Sequence, residues 1–522
     1  MEQVVTVRGG RVRGVERRGV WSFSGIPYAA PPVGDLRWRP PQLPEGWSDV
    51  RDGSAFGPIA PQPAAVAGIT SPSDPSAAEP QSEDCLSLNV WTPELPDQPT
   101  PVPGSGRPVM VWIHGGGFTG GSGSVALYRG GDLVRNGDVV VVTINYRLGA
   151  LGFLGHPCVT DADGYCGSWG LHDQVAALRW VQENIAQFGG DASNVTIFGE
   201  SAGGFSVSAL LAAPSARGLF RHAIVQSGGA HVHTAAQGEQ AGVRLGEALD
   251  VARLDRETLL TVPPADLVSA TTEMAKGRPE AGAVPLPFLP VVDGSFLAAH
   301  PLDAVQAGSA AGVDLIIGTN RDELTLFSLG NPALAGLDDN GVHRWLANGA
   351  PDVPTDELLE TYRTVRSARQ EGATAQELWV AVGTDNIFRW PSLQLAAAQQ
   401  AQGARTFVYL FDWESPAFGG ILGACHALEL PFVFGAVRSP AVQLFSGAGP
   451  EVEALSQQMQ SAWLAFAQTG DPSGGGAGDW PAWDPEGRVT MMFGPNSGMT
   501  KAPRNEELDV WERYRPLPAG IA

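Results

Sequence analysis

Basic charge is scarce in this chain. Of 522 residues only 33 are Lys or Arg, against 55 Asp or Glu, which leaves a formal net charge of −22. A surface of that sign repels phosphate backbones and argues against nucleic-acid binding. Cysteine is scarcer still. Cys85, Cys158, Cys166 and Cys425 are the whole set, with no CxxC spacing of the metal-binding kind. Cys158 and Cys166 are near enough in sequence to pair if they fold together. Compartment rules favour the other reading, unpaired thiols in a reducing cytoplasm. Long apolar runs are missing too, and no stretch approaches the roughly 18 residues a membrane span needs. The first residues, MEQVVTVRGGRVRGV, alternate apolar and polar side chains. They read as a β-ribbon over about residues 1–25, not as the apolar core of a targeting signal. With 43% hydrophobic and 17% charged residues, the chain is globular and long enough for a large core.

Short runs apolar on both faces recur. They are VMVWIH (109–114), VVVVTINY (139–146), NVTIFG (194–199), RHAIVQSG (221–228), VDLIIGT (313–319) and TFVYLFDW (406–413). Continuous apolar strands suit a sheet covered on both sides. Helical patterns lie between them. In GLHDQVAALRWVQENIAQFGG, Leu171, Val175, Leu178, Val181 and Ile185 recur near the helical period, and Gly189-Gly190 ends the pattern. The alternation predicts an α/β fold with a largely parallel sheet. Residues 57–84, 96–107 and 471–479 are rich in Pro, Gly or Ser and read as loops. A helical region over roughly 330–400 could cap the core. Nothing marks a clean linker, so residues 1–522 read as one domain.

One stretch combines a buried strand with chemistry. VTIFGESAGG (195–204) runs from apolar residues into Gly199-Glu200-Ser201-Ala202-Gly203, the pattern G-x-S-x-G. A strand before it and the helical AGGFSVSALLAA after it are the context in which that pattern carries a nucleophilic serine. The plainer alternative is a glycine-rich helix start with Ser201 as its cap. A serine hydroxyl needs a base, and the base needs an orienting group. VDLIIGTNRDEL puts Asp322 and Glu323 just past a strand, and His426 stands in GACHALELPFVFG. The residues leave the two acids open. Serine, acid, histidine is the chain order found in α/β hydrolases. VWIHGGGF (111–118) ends another strand in three glycines, whose amides can approach a developing oxyanion closely.

Taken with GIPYAAPPVGDLRWRPP, SEDCLSLNVWTP, NYRLGALGFL, IVQSGG, PVVDG and WLAFAQTGDPS, these blocks resemble the type-B carboxylesterase family, which includes the cholinesterases, in family order along most of the chain. The resemblance implies an α/β-hydrolase fold: a central, mostly parallel twisted sheet flanked by helices, with long insertions forming an active-site gorge. It implies Ser201 as nucleophile, Glu323 as acid and His426 as base. Gly116, Gly117 and Ala202 would form the oxyanion hole, with Glu200 and Ser227 beside the triad. It also pairs Arg37 with Glu83 and Arg147 with Asp173. The implied activity is hydrolysis of small aryl or alkyl esters through an acyl-enzyme, with carbamate or amide hydrolysis as the alternative. A small-molecule ester is the only partner implied; no metal or cofactor, membrane or nucleic acid enters. Some relatives serve as non-catalytic binding modules, but those lose the nucleophile that this chain keeps.

Departures from the family pattern refine the expectation. Cys85 has no cysteine upstream, so the family's disulfide at that position is absent. Residues 57–84 hold no Trp, which argues against choline esters. Val284 and Leu286 stand where acetyl-selective relatives carry aromatics, so the resemblance places them, with Phe118, at the substrate and leaves room for a larger acyl group. Leu324 stands where the family commonly has Gly, with no catalytic consequence visible from the sequence.

Overall fold

The computed structural model describes residues 2–63, 80–96, 104–276, 286–329, 331, 334, 336–474 and 476–518. Its frame is a 13-stranded sheet. Residues Arg107–Ile113 run parallel to Val140–Ile144 on one side and to Gly190–Glu200 on the other. The parallel series continues through His222–Gln226, Asp314–Asn320, Thr406–Phe411 and Val489–Phe493. Antiparallel strands close both ends. Glu2–Val7, Gly10–Arg17, Val20–Pro27 and Ser87–Thr92 form one edge, and Gly498–Lys501 the other.

The apolar runs follow from double coverage. Along Arg107–Ile113 successive side chains point to opposite faces. Val109, Val111 and Ile113 enter one buried cluster, and Met110 and Trp112 enter the other. Both faces carry helices, so the buried stretch Val109–Ile113 is apolar throughout. The helix Trp169–Asn184 covers one face, tightens to a 3₁₀ turn over Ile185–Phe188, and ends on Gly189 at φ 79°. In the region from 330 to 400 lie the helices Asp339–Gly349, Thr355–Ala368, Ala375–Thr384 and Trp390–Gln400, with a π-turn at Asp385–Arg389. Cys85, Cys158, Cys166 and Cys425 are all free thiols. No helix of the described residues is long and apolar enough to cross a membrane.

Two ion pairs, one buried and one largely so, tie loops of the fold together. Arg37 meets Glu83 through two bonds of 2.6 Å. Arg147 meets Asp173 through bonds of 2.8 and 2.7 Å, and the Arg147 amide adds a third at 3.0 Å. Both pairs implied by the family resemblance are therefore formed. Asp173 is fully buried, so breaking its pair from one side leaves an uncompensated charge. Arg147→Met should lower stability by about 3–5 kcal/mol, read as a shift of the urea midpoint. A loss under about 1 kcal/mol would place this pair in the class of exposed ones.

Candidate active site

Ser201 sits on the corner between the strand Gly190–Glu200 and the helix Ala202–Ala212. Its backbone adopts φ 57°, ψ −124°, and its side chain makes no capping bond to the helix. The helix-cap reading of this serine is therefore excluded. The corner is too tight for side chains around it. A Cβ on Gly203 would lie 2.0 Å from the carbonyl oxygen of Ile113, so the helix start rests directly on the neighbouring strand. The Ser201 amide donates to the Gln226 carbonyl at 3.0 Å, which ties the corner to the next strand. A non-Gly residue held at such angles is strain that the surroundings must enforce.

The segment His114–Phe118 approaches Ser201 from the side. A Cβ on Gly115 would fall 3.1 Å from the Ser201 Cβ. Gly116 takes φ 110° with no room for a side chain, since a Cβ would meet the Gly120 carbonyl oxygen at 2.3 Å. His114 stacks on Tyr146 at 4.4 Å, and the Tyr146 hydroxyl donates to the His114 carbonyl at 2.7 Å. Gln62 bonds Gly121 through both its amide groups. Among the described residues, the amides of Gly116 and Gly117 donate to no protein acceptor. Ala202 opens its helix, so its amide has no intrahelical partner.

Two carboxylates flank one imidazole, and a third is buried close by. Glu323 Oε2 lies 2.5 Å from His426 Nδ1, and its other oxygen accepts from the Asn320 amide at 2.8 Å. Glu200 Oε1 lies 3.0 Å from His426 Nε2. The Ser201 hydroxyl makes no bond to the imidazole among the described contacts. Burial alone depresses the imidazole pKa. The charges of Glu200 and then Glu323 outweigh it, and the net shift is well above the ordinary 6.5. Asp322 faces elsewhere, accepting from Arg321 Nε and the Ala424 amide at 2.9 Å each. Ser227 is fully buried, at φ 46°, and its hydroxyl finds no partner among the described residues.

The third carboxylate is Glu429, which the sequence reading missed. Its only signal was spacing, one helical turn past His426 in HALEL. It is fully buried and accepts from Gln226 Nε2 at 3.0 Å and Asn320 Nδ2 at 2.7 Å. Burial, then the charges of Glu200 and Glu323, push its pKa up to about 8. A carboxyl so shifted binds its proton more tightly folded than unfolded. Its stability contribution is complete below about 4.5 and is lost as pH rises through about 8. Glu429→Gln should therefore flatten the fall in Tm between these limits. A variant with the same slope as the parent would refute the shift.

A cleft of about 990 Å³ has Leu286, His231, His233, Asn386 and Ile387 among its walls; Ser201, His426, Phe388 and the glycines 115–117 are not among them, and Leu286 is its link to the glycine segment. That volume suits a small organic ligand. Leu286 packs over Gly117, where a Cβ would come within 3.2 Å of its Cδ2. Val284 lies outside the described residues. Phe118 is fully buried against Phe153 and Phe205, so it supports the site from behind and does not line the cleft. Among the described residues, no group of three or more His, Cys, Asp or Glu could hold a metal ion.

The comparisons with known proteins agree with one another. A family described as the carboxylesterase family matches residues 1–511. The chain is 39% identical to the para-nitrobenzyl esterase of Bacillus subtilis over 507 residues, 97% of each chain. It is 35% identical to the phenmedipham hydrolase of Pseudarthrobacter oxydans over 492 residues, 93% of this chain and 94% of the other. Among solved structures, a Geobacillus stearothermophilus carboxylesterase matches with TM-score 0.84 and 40% identity, covering 97% of this chain and 99% of that one.

Proposed function

The chain belongs to the carboxylesterase family, and from that premise we propose that it works through an acyl-enzyme formed on Ser201. Its fold is the α/β-hydrolase fold and its reaction is hydrolysis of carboxylic esters to acid and alcohol. The observation that carries the residue assignment is the convergence on one corner: a strained serine, an imidazole paired to Glu323, and two amides without protein acceptors.

In this reading His426 Nε2 leaves the Glu200 carboxylate and takes the Ser201 proton as Oγ attacks the ester carbonyl. Glu323 holds Nδ1–H and favours the imidazolium that forms. The amides of Gly116, Gly117 and Ala202 receive the oxyanion, one such donor being worth roughly 3–4 kcal/mol in the transition state. The alcohol leaves with the proton from His426, and water then repeats the sequence on the acyl group. Glu200 and Ser227 are polar neighbours of the reacting groups. We read the whole chain as one catalytic domain, and its free thiols suit a cytoplasmic setting.

The test is kcat/KM on a p-nitrophenyl ester and on the matched carbamate and anilide. The ester should lead; a carbamate or anilide ahead of it would move the assignment to that chemistry. The small aliphatic Leu286 wall predicts that butanoate equals or exceeds acetate. Each buried methylene adds up to about 0.8 kcal/mol, about fourfold in rate. Leu286→Phe should shift preference back toward acetate. An unchanged ratio would remove Leu286 from the acyl pocket.

A further inference from the structure

The π-turn Asp385–Arg389 lies between the helices Ala375–Thr384 and Trp390–Gln400. Such turns are rare and are frequent at functional sites. This one sends its residues three ways. Asn386 and Ile387 line the cleft. Asp385 points inward, where the Tyr362 hydroxyl bonds it and Trp511 Nε1 in turn donates to Tyr362 at 2.8 Å. Phe388, 2% exposed, sets its ring 5.0 Å from the His426 ring and 6.3 Å from Phe205, one turn past Ser201.

The turn is also fastened to the acid loop. The Leu324 amide donates to Thr384 Oγ1 at 3.3 Å. The fully buried Leu324 side chain fills the space above Gly383, where a Cβ would lie 2.2 Å from Leu324 Cδ1. The residue directly after Glu323 therefore presses on the helix end that launches the turn. A side chain at 324 and none at 383 make one fitted contact.

We propose that the π-turn is a specificity element of this site, with Phe388 limiting the length of ester chain that can lie between His426 and Phe205, and with the Leu324–Gly383 contact holding it in place. The inference rests on the esterase reading. Its test has two arms. In the first, kcat/KM is measured for p-nitrophenyl esters from acetate to octanoate in the parent, Phe388→Ala and Leu324→Gly. Phe388→Ala should raise the octanoate-to-acetate ratio on the order of tenfold or more, mostly through KM of the long esters. Leu324→Gly should move it the same way by less. In the second arm, the inert p-nitrophenyl alkyl ethers are titrated calorimetrically, and the longest should gain affinity in Phe388→Ala. Unchanged length profiles in both arms, in a variant with parental circular dichroism, overturn the proposal. If Phe388→Ala does not fold, Phe388→Leu carries the same test. Loss of ester turnover in the parent itself would sink the esterase reading and this inference with it, even if an intact ether shift showed that Phe388 limits the length of a bound chain.

Discussion

Ser201→Ala is expected to abolish ester hydrolysis, with a fall in kcat on the order of 10⁶. In the proposed mechanism the Ser201 hydroxyl forms the acyl-enzyme, and no neighbouring group is expected to substitute for it. In the same mechanism the glycine-segment donors survive, and donors of this kind with substrate binding leave about 10³–10⁴ over the reaction in water. The fold should be untouched. The side chain makes no capping bond, and Ala meets the same backbone angles that Ser already occupies. Tm should stay close to the parental value, a change within about 0.5 kcal/mol. Labelling by a fluorophosphonate should vanish in parallel. A purified variant that keeps more than a few per cent of kcat would show that another residue is the nucleophile.

Glu323→Gln should cost about 10⁴ in kcat while Asp322→Asn costs far less. Glu323 Oε2 is 2.5 Å from His426 Nδ1. A glutamine there can donate an N–H to Nδ1, which stabilises the wrong tautomer, and cannot offset imidazolium charge; loss of an orienting carboxylate in this way is worth about 10⁴. Asp322 bonds Arg321 and the Ala424 amide, so its role is to hold the two loops together. The pH profile separates the roles further. Glu323 raises the imidazole pKa, and in the proposed mechanism the neutral imidazole is the base. Removing that charge lowers the pKa, so the rising limb of the residual activity should move to lower pH. Asp322→Asn should leave the limb where it is. Equal losses from both substitutions would leave the acid unassigned, and a large loss at Asp322 alone would reverse the choice.

The neighbouring positions 322 and 323 show where reading residues stops. Both are carboxylates past one strand, and either could reach a histidine about a hundred residues away. Family resemblance favoured Glu323 by pattern. The geometry separates them by direction, because the Asp322 carboxylate is engaged by Arg321 while Glu323 turns beneath the imidazole. Leu324 carries the same lesson. In sequence it is an unexplained departure from a common Gly; in the structure it is matched by Gly383, some sixty positions on.

The amino-acid order by itself determined the sheet, the tight glycine-flanked corner at Ser201 and the chain order Ser201, Glu323, His426. Those are local or periodic properties: strands buried on two faces must be apolar at every position, and a turn without space must be glycine. Only the tertiary structure decided which side chains meet. Glu429 comes near Glu200 and Glu323 because three segments converge there, and its raised pKa comes from burial and the two neighbouring charges, which no single segment contains. Phe388 reaches His426 because a helix is interrupted by a π-turn, which no residue pattern announced. Periodicity records how each segment is buried; the contacts between segments depend on crossings that are set when the whole chain packs.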